Sequence, residues 1–365
     1  MLIYLCSSSH GFGHAARDAV VLQWIHKLRP DWHLAFSSVV QESVLSCLLA
    51  VDGVELRRCR WDVGMVQQDA LGSDPLATIH ALEELERQLP VQLDQEVSWI
   101  VDQGEPVLVL ADIPPAAAEL AKRLEAPLIW LSNFGWDEIY APFGGTLKHK
   151  AEQAKEAYQQ GDLLLRCPFD LSMGWGLPEA SLGLVCASPR PIPRWLKDRI
   201  EAIEQPLVMV GFGGLGLSID DEMFLRWPEF HFLVAPSGLN PECPNVTVLP
   251  EGVRPLDVLP YCQRHLGKPG FSTFCEAMSQ QVGLHVVERR DFAEVPALLS
   301  GLRRHGNHRL LSRQAFAAGD WKLDQPLQAA TDSPLPANGA LQAAEHIVAC
   351  AEQRGGVNPA PDLIC

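Results

Sequence analysis

One strand-like pattern occurs in both halves of the chain and limits the folds that it can adopt. Leu2 to Cys6 is a short run that is apolar at every position, followed by the turn Ser7-Ser8-Ser9-His10-Gly11-Phe12-Gly13-His14 and a helical pattern. Leu207 to Val210 is a second such run, followed by the glycine-rich turn Gly211 to Gly216. Runs of this kind are typical of strands buried on both faces of a parallel sheet. The pattern therefore predicts two similar doubly wound α/β units.

Further strand and helix patterns alternate along both halves. A proline-rich and glycine-rich stretch at Pro168 to Pro193 shows no strong periodicity and predicts a linker. The expected domains are residues 1–190 and 191–355, with a flexible tail at 356–365. Additional strands are predicted at His33 to Val40, Val54 to Cys59, Pro106 to Ala111, Leu128 to Leu131, Leu163 to Leu165, His231 to Ala235, Val246 to Leu249 and Leu284 to Val287.

Composition narrows the class of protein. The 365 residues are long enough for two domains, and 47% of them are hydrophobic, so the chain can bury two cores. The net charge of −16 argues against nucleic acid or an anionic membrane as the main partner. Ten cysteines without CxxC spacing favour reduced thiols in the cytoplasm. No apolar run reaches 18 residues, so neither a signal peptide nor a membrane span is expected.

Two polar residues follow predicted strands of the first half and are candidates for catalysis. Asp112 ends the apolar run from Pro106, where it is either an active-site acid or the N-cap of the next helix. His14 lies at a helix start, where protonation is disfavoured and a general base is plausible, although a packing role is the alternative. His10 is the second choice of base. Gly11 and Gly13 do not have GxGxxG spacing, so a dinucleotide cofactor is not indicated.

The stretch Gly267 to Glu276 suits a phosphate. A helical pattern opens at Ser272 after Gly-Lys-Pro-Gly, and Thr273-x-x-Glu276 has the form of a capping box. The start of a helix attracts anions, Lys268 adds a full charge, and Gly270 lets a ligand approach the backbone. A capped helix after a simple turn explains the same residues equally well.

Several motifs are spread in order over roughly residues 1 to 300. They are His10-Gly-Phe-Gly-His-Ala15, Asp62-Val-Gly-x-Val-Gln-x-Asp-Ala-Leu71, Asp112-Ile-Pro-Pro, Asn133-Phe-x-Trp-Asp-x-Ile-Tyr140, Gly213-Gly214, Gly267-Lys-Pro-Gly-Phe-Ser-Thr-x-x-Glu-Ala277 and Arg289-Arg-Asp-Phe-x-Glu-x-Pro296. These motifs resemble those of GT-B glycosyltransferases, and more closely those of the N-terminal glycosyltransferase-like region of plant L-arabinokinases and its stand-alone bacterial relatives. No counterpart of the sugar-kinase domain of the plant proteins is expected, so the resemblance does not imply kinase activity.

The resemblance implies a nucleotide-diphospho-sugar site in the second domain, with a UDP-sugar as the favoured donor. The diphosphate would lie at the helix start, beside Lys268, and Glu276 would bind the ribose. Phe271 departs from the small residue that is usual next to the glycine. The remaining implied donor contacts are Gly270, Ser272, Thr273, Asp291 and Glu294, with Gly213 and Gly214 against the diphosphate or the acceptor.

The implied reaction is an inverting transfer to an unknown hydroxyl acceptor. His14 would deprotonate that hydroxyl and Asp112 would orient His14, while backbone dipoles and Lys268 replace a metal. Neither a cofactor nor a metal is expected, because His305-x-x-His308 is interpreted as a solvated surface pair. A non-hydrolysing sugar-nucleotide 2-epimerase and a non-catalytic nucleotide-sugar-binding protein are the alternatives. Peripheral membrane contact stays open.

Overall fold

The computed structural model describes residues 1–67, 72–212, 219–235, 243–289 and 292–354. The chain forms two compact units. One contains residues 1–67, 73–185 and 337–354, and the other contains residues 186–336. The division falls between Val185 and Cys186, close to the predicted boundary after residue 190. The chain then returns to the first unit for its last helix, whereas the sequence placed that helix in the second domain.

The first unit is built on a parallel sheet of seven strands in the spatial order β3-β2-β1-β4-β5-β6-β7. The order reverses between β1 and β4, which is the topological switch point where ligands bind in doubly wound folds. Six of these strands match predicted runs, and β7 is a short addition at the edge. The strands are β1 (Leu2–Ser7), β2 (His33–Ser37), β3 (Glu55–Arg57), β4 (Val107–Asp112), β5 (Leu128–Ser132), β6 (Leu163–Arg166) and β7 (Glu179–Ser181).

Helices connect these strands. The stretch from Trp136 to Tyr158 contains two α-helices and not one, because the chain turns at Gly144 and Gly145, which have positive φ angles of 68° and 51°. The Asp74 side chain caps the longest helix by accepting a hydrogen bond from the Ala77 amide at 2.9 Å. The helices are α1 (Phe12–Leu28), α2 (Glu42–Leu48), α3 (Pro75–Asp102), α4 (Ala117–Leu124), α5 (Trp136–Tyr140) and α6 (Gly145–Tyr158).

The second unit contains a parallel sheet of six strands in the order β10-β9-β8-β11-β12-β13, so its switch point lies between β8 and β11. Sequence analysis missed β11 and β13, because Arg264, His265 and Arg309 interrupt their apolar pattern. The strands are β8 (Leu207–Gly211), β9 (His231–Val234), β10 (Val246–Val248), β11 (Arg264–Gly267), β12 (Gly283–Val287) and β13 (His308–Leu311).

The helices of the second unit include the one that was expected to bind phosphate. It begins at Phe271, and its N-cap is Gly270, which has no side chain to cap it. Ser272 and Thr273 therefore lie inside the first turn, so the predicted helix start at Ser272 and the Thr273–Glu276 capping box were wrong. The helices are α7 (Arg194–Glu201), α8 (Asp221–Leu225), α9 (Pro255–Val258), α10 (Phe271–Ser279), α11 (Val295–His305) and α12 (Arg313–Ala317).

The last helix, α13 (Gly339–Arg354), packs on α1 and completes the first unit. Its buried side chains are small or β-branched, which lets the two helices approach closely. Arg29, just after α1, pairs with Glu352 of α13. The buried positions of α13 are Ala340, Ala343, Ala344, Ile347 and Ala351.

Two further findings concern membrane-spanning helices and the state of the cysteines. Among the described residues, no helix is long and apolar enough to cross a membrane. Eight of the described cysteines are free thiols, as expected, whereas Cys350 is disulfide-bonded.

Candidate active site

The turn after β1 and the end of β4 meet at the switch point of the first sheet. Ser7 pairs in register with Asp112, and the Ser8 amide donates to the Asp112 carbonyl at 2.8 Å. Gly11 is the N-cap of α1 and has a φ of 79°, a left-handed conformation that favours glycine. Gly13 is exposed in the first turn of α1. The parallel pairing of β1 and β4 thus brings the residues that follow both strands together.

His14 and Asp112, the predicted catalytic pair, are in direct contact. The His14 Nδ1 lies 2.9 Å from the Asp112 Oδ1, and the two residues are 7% and 0% exposed. An ionised carboxylate can only accept, so Nδ1 carries the hydrogen of this bond. Neutral His14 then has its lone pair on Nε2, the atom that a general base uses.

Arg17, one turn further along α1, completes this cluster and was not foreseen. Its Nε donates to the Asp112 Oδ2 at 2.7 Å and its Nη2 to Oδ1 at 2.5 Å, a two-point pairing of guanidinium and carboxylate. Its Nη1 donates to the Asn133 Oδ1 at 2.9 Å. The 3.1 Å contact between Arg17 Nη2 and His14 Nδ1 joins two donors that share Oδ1 as acceptor.

The charges in this cluster compensate one another. Burial alone would raise the pKa of Asp112, but the charges and hydrogen bonds of Arg17 and His14 hold it well below its usual range. Asp18 is also fully buried, and burial together with the charge of Asp112 raises its pKa well above the ordinary value. Arg17 and Asp112 therefore form a buried ion pair, and the environment of Asp18 disfavours its ionised form.

His10, the alternative base, packs against an aromatic residue of another element. Its ring centroid lies 5.2 Å from that of Trp136 in an edge-on contact. A Cβ on Gly64 would lie 2.4 Å from the His10 Nδ1, so only glycine lets the 61–67 loop approach this closely. His10 therefore contacts this loop and α5.

Asp62 connects the 61–67 loop to the turn after β1 through hydrogen bonds. Its Oδ2 accepts from the Trp136 Nε1 at 2.9 Å, and its Oδ1 accepts from the Ser9 amide at 3.3 Å. The side chain is buried, and burial raises its pKa despite these hydrogen bonds and the nearby charge of His14. Asp62 thus fixes the backbone from which His10 and His14 project.

The second predicted site lies at the switch point of the other sheet. Gly267 ends β11 in register with Gly211 of β8, and Lys268 and Gly270 lead into α10. A Cβ on Gly267 would lie 2.4 Å from the Gly211 carbonyl oxygen, so glycine is needed for this close approach. The first-turn amides of a helix have no acceptor within the helix, and α10 presents them with a positive dipole end.

Positive charge gathers beside this helix start. Burial, followed by the charge of Arg289, lowers the pKa of Lys268 to about 8. Burial also lowers the pKa of Arg289, whose Nε is buried without a hydrogen-bond partner among the described residues. Its guanidinium carbon lies 4.5 Å from the Phe292 ring centroid. Two cations held this close together favour an anionic ligand.

Glu276, the predicted ribose ligand, follows one turn after Thr273 in α10. Burial raises its pKa to about 7, an effect that the charge of Arg254 opposes and that of Asp257 reinforces. Ser272 and Thr273 are half-buried in the first turn, and Glu294 is the buried N-cap residue of α11. Three other predicted contacts lie outside the described residues: Gly213, Gly214 and Asp291.

The histidine pair His305-x-x-His308 is not a solvated surface pair. His308 begins β13 and is 3% exposed, and its Nδ1 lies 2.9 Å from the Gly306 carbonyl oxygen. Within the described ranges, no group of three His, Cys, Asp or Glu side chains could hold a metal ion. Metal independence stays a prediction.

Comparison with known proteins supports the fold. No family model matches the chain. L-arabinokinase of Arabidopsis thaliana is 26% identical over 327 residues, which cover 86% of this chain but only 31% of the plant protein. The calicheamicin glycosyltransferase CalG4 superposes with a TM-score of 0.65 at 16% identity, over 97% of this chain and 99% of CalG4. A UDP-glucosyltransferase from Polygonum tinctorium gives 0.61 at 16% identity, over 96% and 93%. The chain therefore has the predicted GT-B fold.

Proposed function

We propose that this protein is a glycosyltransferase that moves a sugar from a nucleotide-diphospho-sugar to a hydroxyl acceptor. The observation that carries the proposal is the 2.9 Å contact between His14 and Asp112 at the switch point of the first sheet. The solved structures that share the fold include UDP-sugar complexes, among them UGT89C1 of Arabidopsis thaliana with UDP-L-rhamnose, at 14% identity and a TM-score of 0.60 over 97% of this chain and 95% of the neighbour.

In this proposal His14 is the base. Its Nδ1–H is held by Asp112, so Nε2 accepts the proton of the acceptor hydroxyl as the sugar is transferred. Arg17 fixes the carboxylate at two points, and the imidazole is therefore held in one orientation before the acceptor binds. We further propose that the transfer is inverting and needs no metal.

The donor would bind in the second unit. The start of α10, Lys268 and Arg289 would take the diphosphate and stabilise the negative charge that develops on the leaving group. Glu276 would accept hydrogen bonds from the ribose hydroxyls. The kinase activity in the name of the plant relative is not part of the proposal, because this chain matches less than a third of that protein.

The experiment is a thermal-shift panel with UDP, GDP, ADP, dTDP and their common sugar conjugates. Ligand at a hundred times its dissociation constant stabilises the folded state by about 2.7 kcal/mol, which is measurable. We expect one nucleotide to raise the melting temperature. The shift should be smaller in Glu276→Ala and should keep its full size in Glu229→Ala, a control at an exposed position of the same unit. No shift with any nucleotide would overturn the proposal.

A second candidate, a non-catalytic nucleotide-sugar-binding protein, is favoured by the Arg17–Asp112 ion pair. Arg17 binds both oxygens of Asp112 and matches its charge, as expected of a structural ion pair that orders the unit without catalysis. Nucleotide binding without transfer to any acceptor and without hydrolysis of the donor would favour this candidate.

A further inference from the structure

Three basic side chains converge on one face of the second sheet, away from the candidate donor site. Arg264 pairs in register with Gly283, and His285, two residues along β12, pairs with Arg309 of β13. Residues paired in register, or two apart on one strand, share a face of a sheet. Arg264, His285 and Arg309 therefore lie on the same face of three neighbouring strands.

These charges have no counterion in the described part of the chain. The Nε–H groups of Arg264 and Arg309 are both buried and donate to no partner there, and no other hydrogen bond of the Arg264 guanidinium is found within it. Arg309 donates through Nη2 to the carbonyl of Pro326. Burial, and then the charge of Arg309, lower the pKa of Arg264. Buried N–H donors of like charge are rarely left without an acceptor.

His285 adds a lone pair to this group of donors. Its Nδ1 lies 3.0 Å from the Trp321 carbonyl oxygen, which can only accept, so Nδ1 carries the hydrogen. Burial, followed by the charge of Arg264, lowers the pKa of His285 to about 4, so the ring is neutral at pH 7. Its Nε2 is then an acceptor, and it is buried without a partner in the described residues.

Gly283 provides the room for this arrangement. A Cβ there would lie 3.2 Å from the Arg264 Nη1 and 2.1 Å from the Leu327 Cδ1. Any larger residue would collide with the Leu327 side chain and crowd the Arg264 guanidinium. Arg264 and Arg309 are half-buried, so their side chains are partly accessible from solvent, whereas His285 is fully buried.

We propose that Arg264, His285 and Arg309 bind a hydrogen phosphate ion. The two guanidinium groups donate to its oxygens, and its hydroxyl donates to the His285 Nε2. Sulfate has the same shape but carries no hydrogen at neutral pH, so it would bring an oxygen lone pair against that of Nε2. The site should therefore prefer phosphate to sulfate.

This site is separate from the proposed donor site. Arg264 begins β11, whereas Lys268 follows its last residue, and four residues of a strand span about 13 Å. The proposal goes beyond the proposed function and does not depend on it, because it needs neither a nucleotide nor an acceptor.

Isothermal titration of the full chain with inorganic phosphate, and separately with sulfate, tests the proposal. We expect phosphate to bind at least tenfold more tightly than sulfate. Arg264→Gln and Arg309→Gln should each weaken phosphate binding at least tenfold, and His285→Phe should abolish the preference. Arg303→Gln, which changes an exposed arginine of α11, is the matched control.

Three results would overturn the proposal. The first is no measurable phosphate binding by the wild-type chain. The second is equal binding of phosphate and sulfate. The third is phosphate binding that survives both arginine substitutions but is lost in Lys268→Gln. The last result would assign the phosphate to the donor site. Near-ultraviolet circular dichroism checks the fold of each variant, and the comparison of phosphate with sulfate on the wild-type chain needs no variant.

Discussion

The two units differ in whether the charged side chains near the central strands of their sheets are paired with opposite charges. In the first unit, Arg17, Asp112 and His14 are buried together, and each charge is matched by a partner within 3 Å. In the second unit, the described residues place no carboxylate beside Arg264 and Arg309, and Lys268 lies beside Arg289, whose charge Glu294 offsets only in part. A compensated cluster holds its geometry without a ligand, whereas an uncompensated one favours an anion. The difference suggests that the first unit provides the orienting groups and the second binds anions.

The largest expected effect concerns the base. Replacing His14 with alanine should slow transfer by roughly 10²–10⁴-fold, because general-base catalysis contributes about that much. The nucleotide dissociation constant should stay within about twofold, since the proposed donor contacts are in the second unit. Initial rates and titration calorimetry measure the two quantities. His26→Ala, near the other end of α1, is the control, and equal losses of transfer and binding would contradict the assigned role.

Removing the carboxylate that pairs with Arg17 in the first unit should have the second-largest effect, and the effect is on stability. Asp112→Asn leaves the Arg17 guanidinium buried without its counterion, which costs about 3–5 kcal/mol of unfolding free energy. Chemical denaturation followed by circular dichroism measures it. Glu119→Gln removes an exposed partner of Arg123 in the same unit and should cost less than about 1 kcal/mol. Similar losses for both variants would show that the buried Arg17–Asp112 pair contributes no more to the free energy of unfolding than an exposed ion pair does.

The anion site of the second unit should respond to pH. The pKa of Lys268 is about 8, so the side chain loses its charge as the pH rises through that value. Nucleoside diphosphate affinity should fall by about tenfold between pH 7 and pH 9, because the protonated fraction of Lys268 falls by about that factor. Titrations across this range measure the slope. In Lys268→Met the fall should disappear, and a fall that persists would assign it to another group.

The smallest effect is expected where charge is uncompensated. Arg264→Gln removes a cation that only repels its neighbour, so the free energy of unfolding in phosphate-free buffer should change by less than about 1 kcal/mol. The sign of any change should be stabilising. A loss above about 2 kcal/mol would reveal a stabilising partner for Arg264 and remove the contrast between the two units.

Sequence alone predicted two doubly wound units and a glycine-rich turn after the first strand of each, but only part of the chemistry at the site. His14 and Asp112 were expected to meet because each follows an apolar run, and the carboxyl ends of parallel strands lie at one edge. Arg17 was missed because an arginine on a helix usually faces solvent, and its spacing of three residues from His14 was the available signal. Asp62 was identified as a motif residue, but its hydrogen bonds to Trp136 and Ser9 were not foreseen, because it lies in an irregular segment that shows no periodicity.

The strands at the centre and edge of the second sheet were missed for a physical reason. Arg264, His265 and Arg309 interrupt the apolar runs of β11 and β13, and burial of such residues depends on neighbours that are distant in sequence. The start of α10 was misplaced by one residue, because Phe271 is buried and joins the helix ahead of the better capping residues. In both cases tertiary packing, and not the local preference of the residues, determines the secondary structure.

The return of the chain to the first unit affects the order in which the protein can form at the ribosome. Residues 186–336 are continuous and can fold as soon as they emerge, whereas α1 must wait for α13. At about 5–20 residues per second, the synthesis of the chain between the ends of these two helices lasts roughly 15–65 s. During this interval the apolar side of α1 that α13 later covers is exposed. The helix α13 therefore completes a unit whose other elements are synthesised well before it.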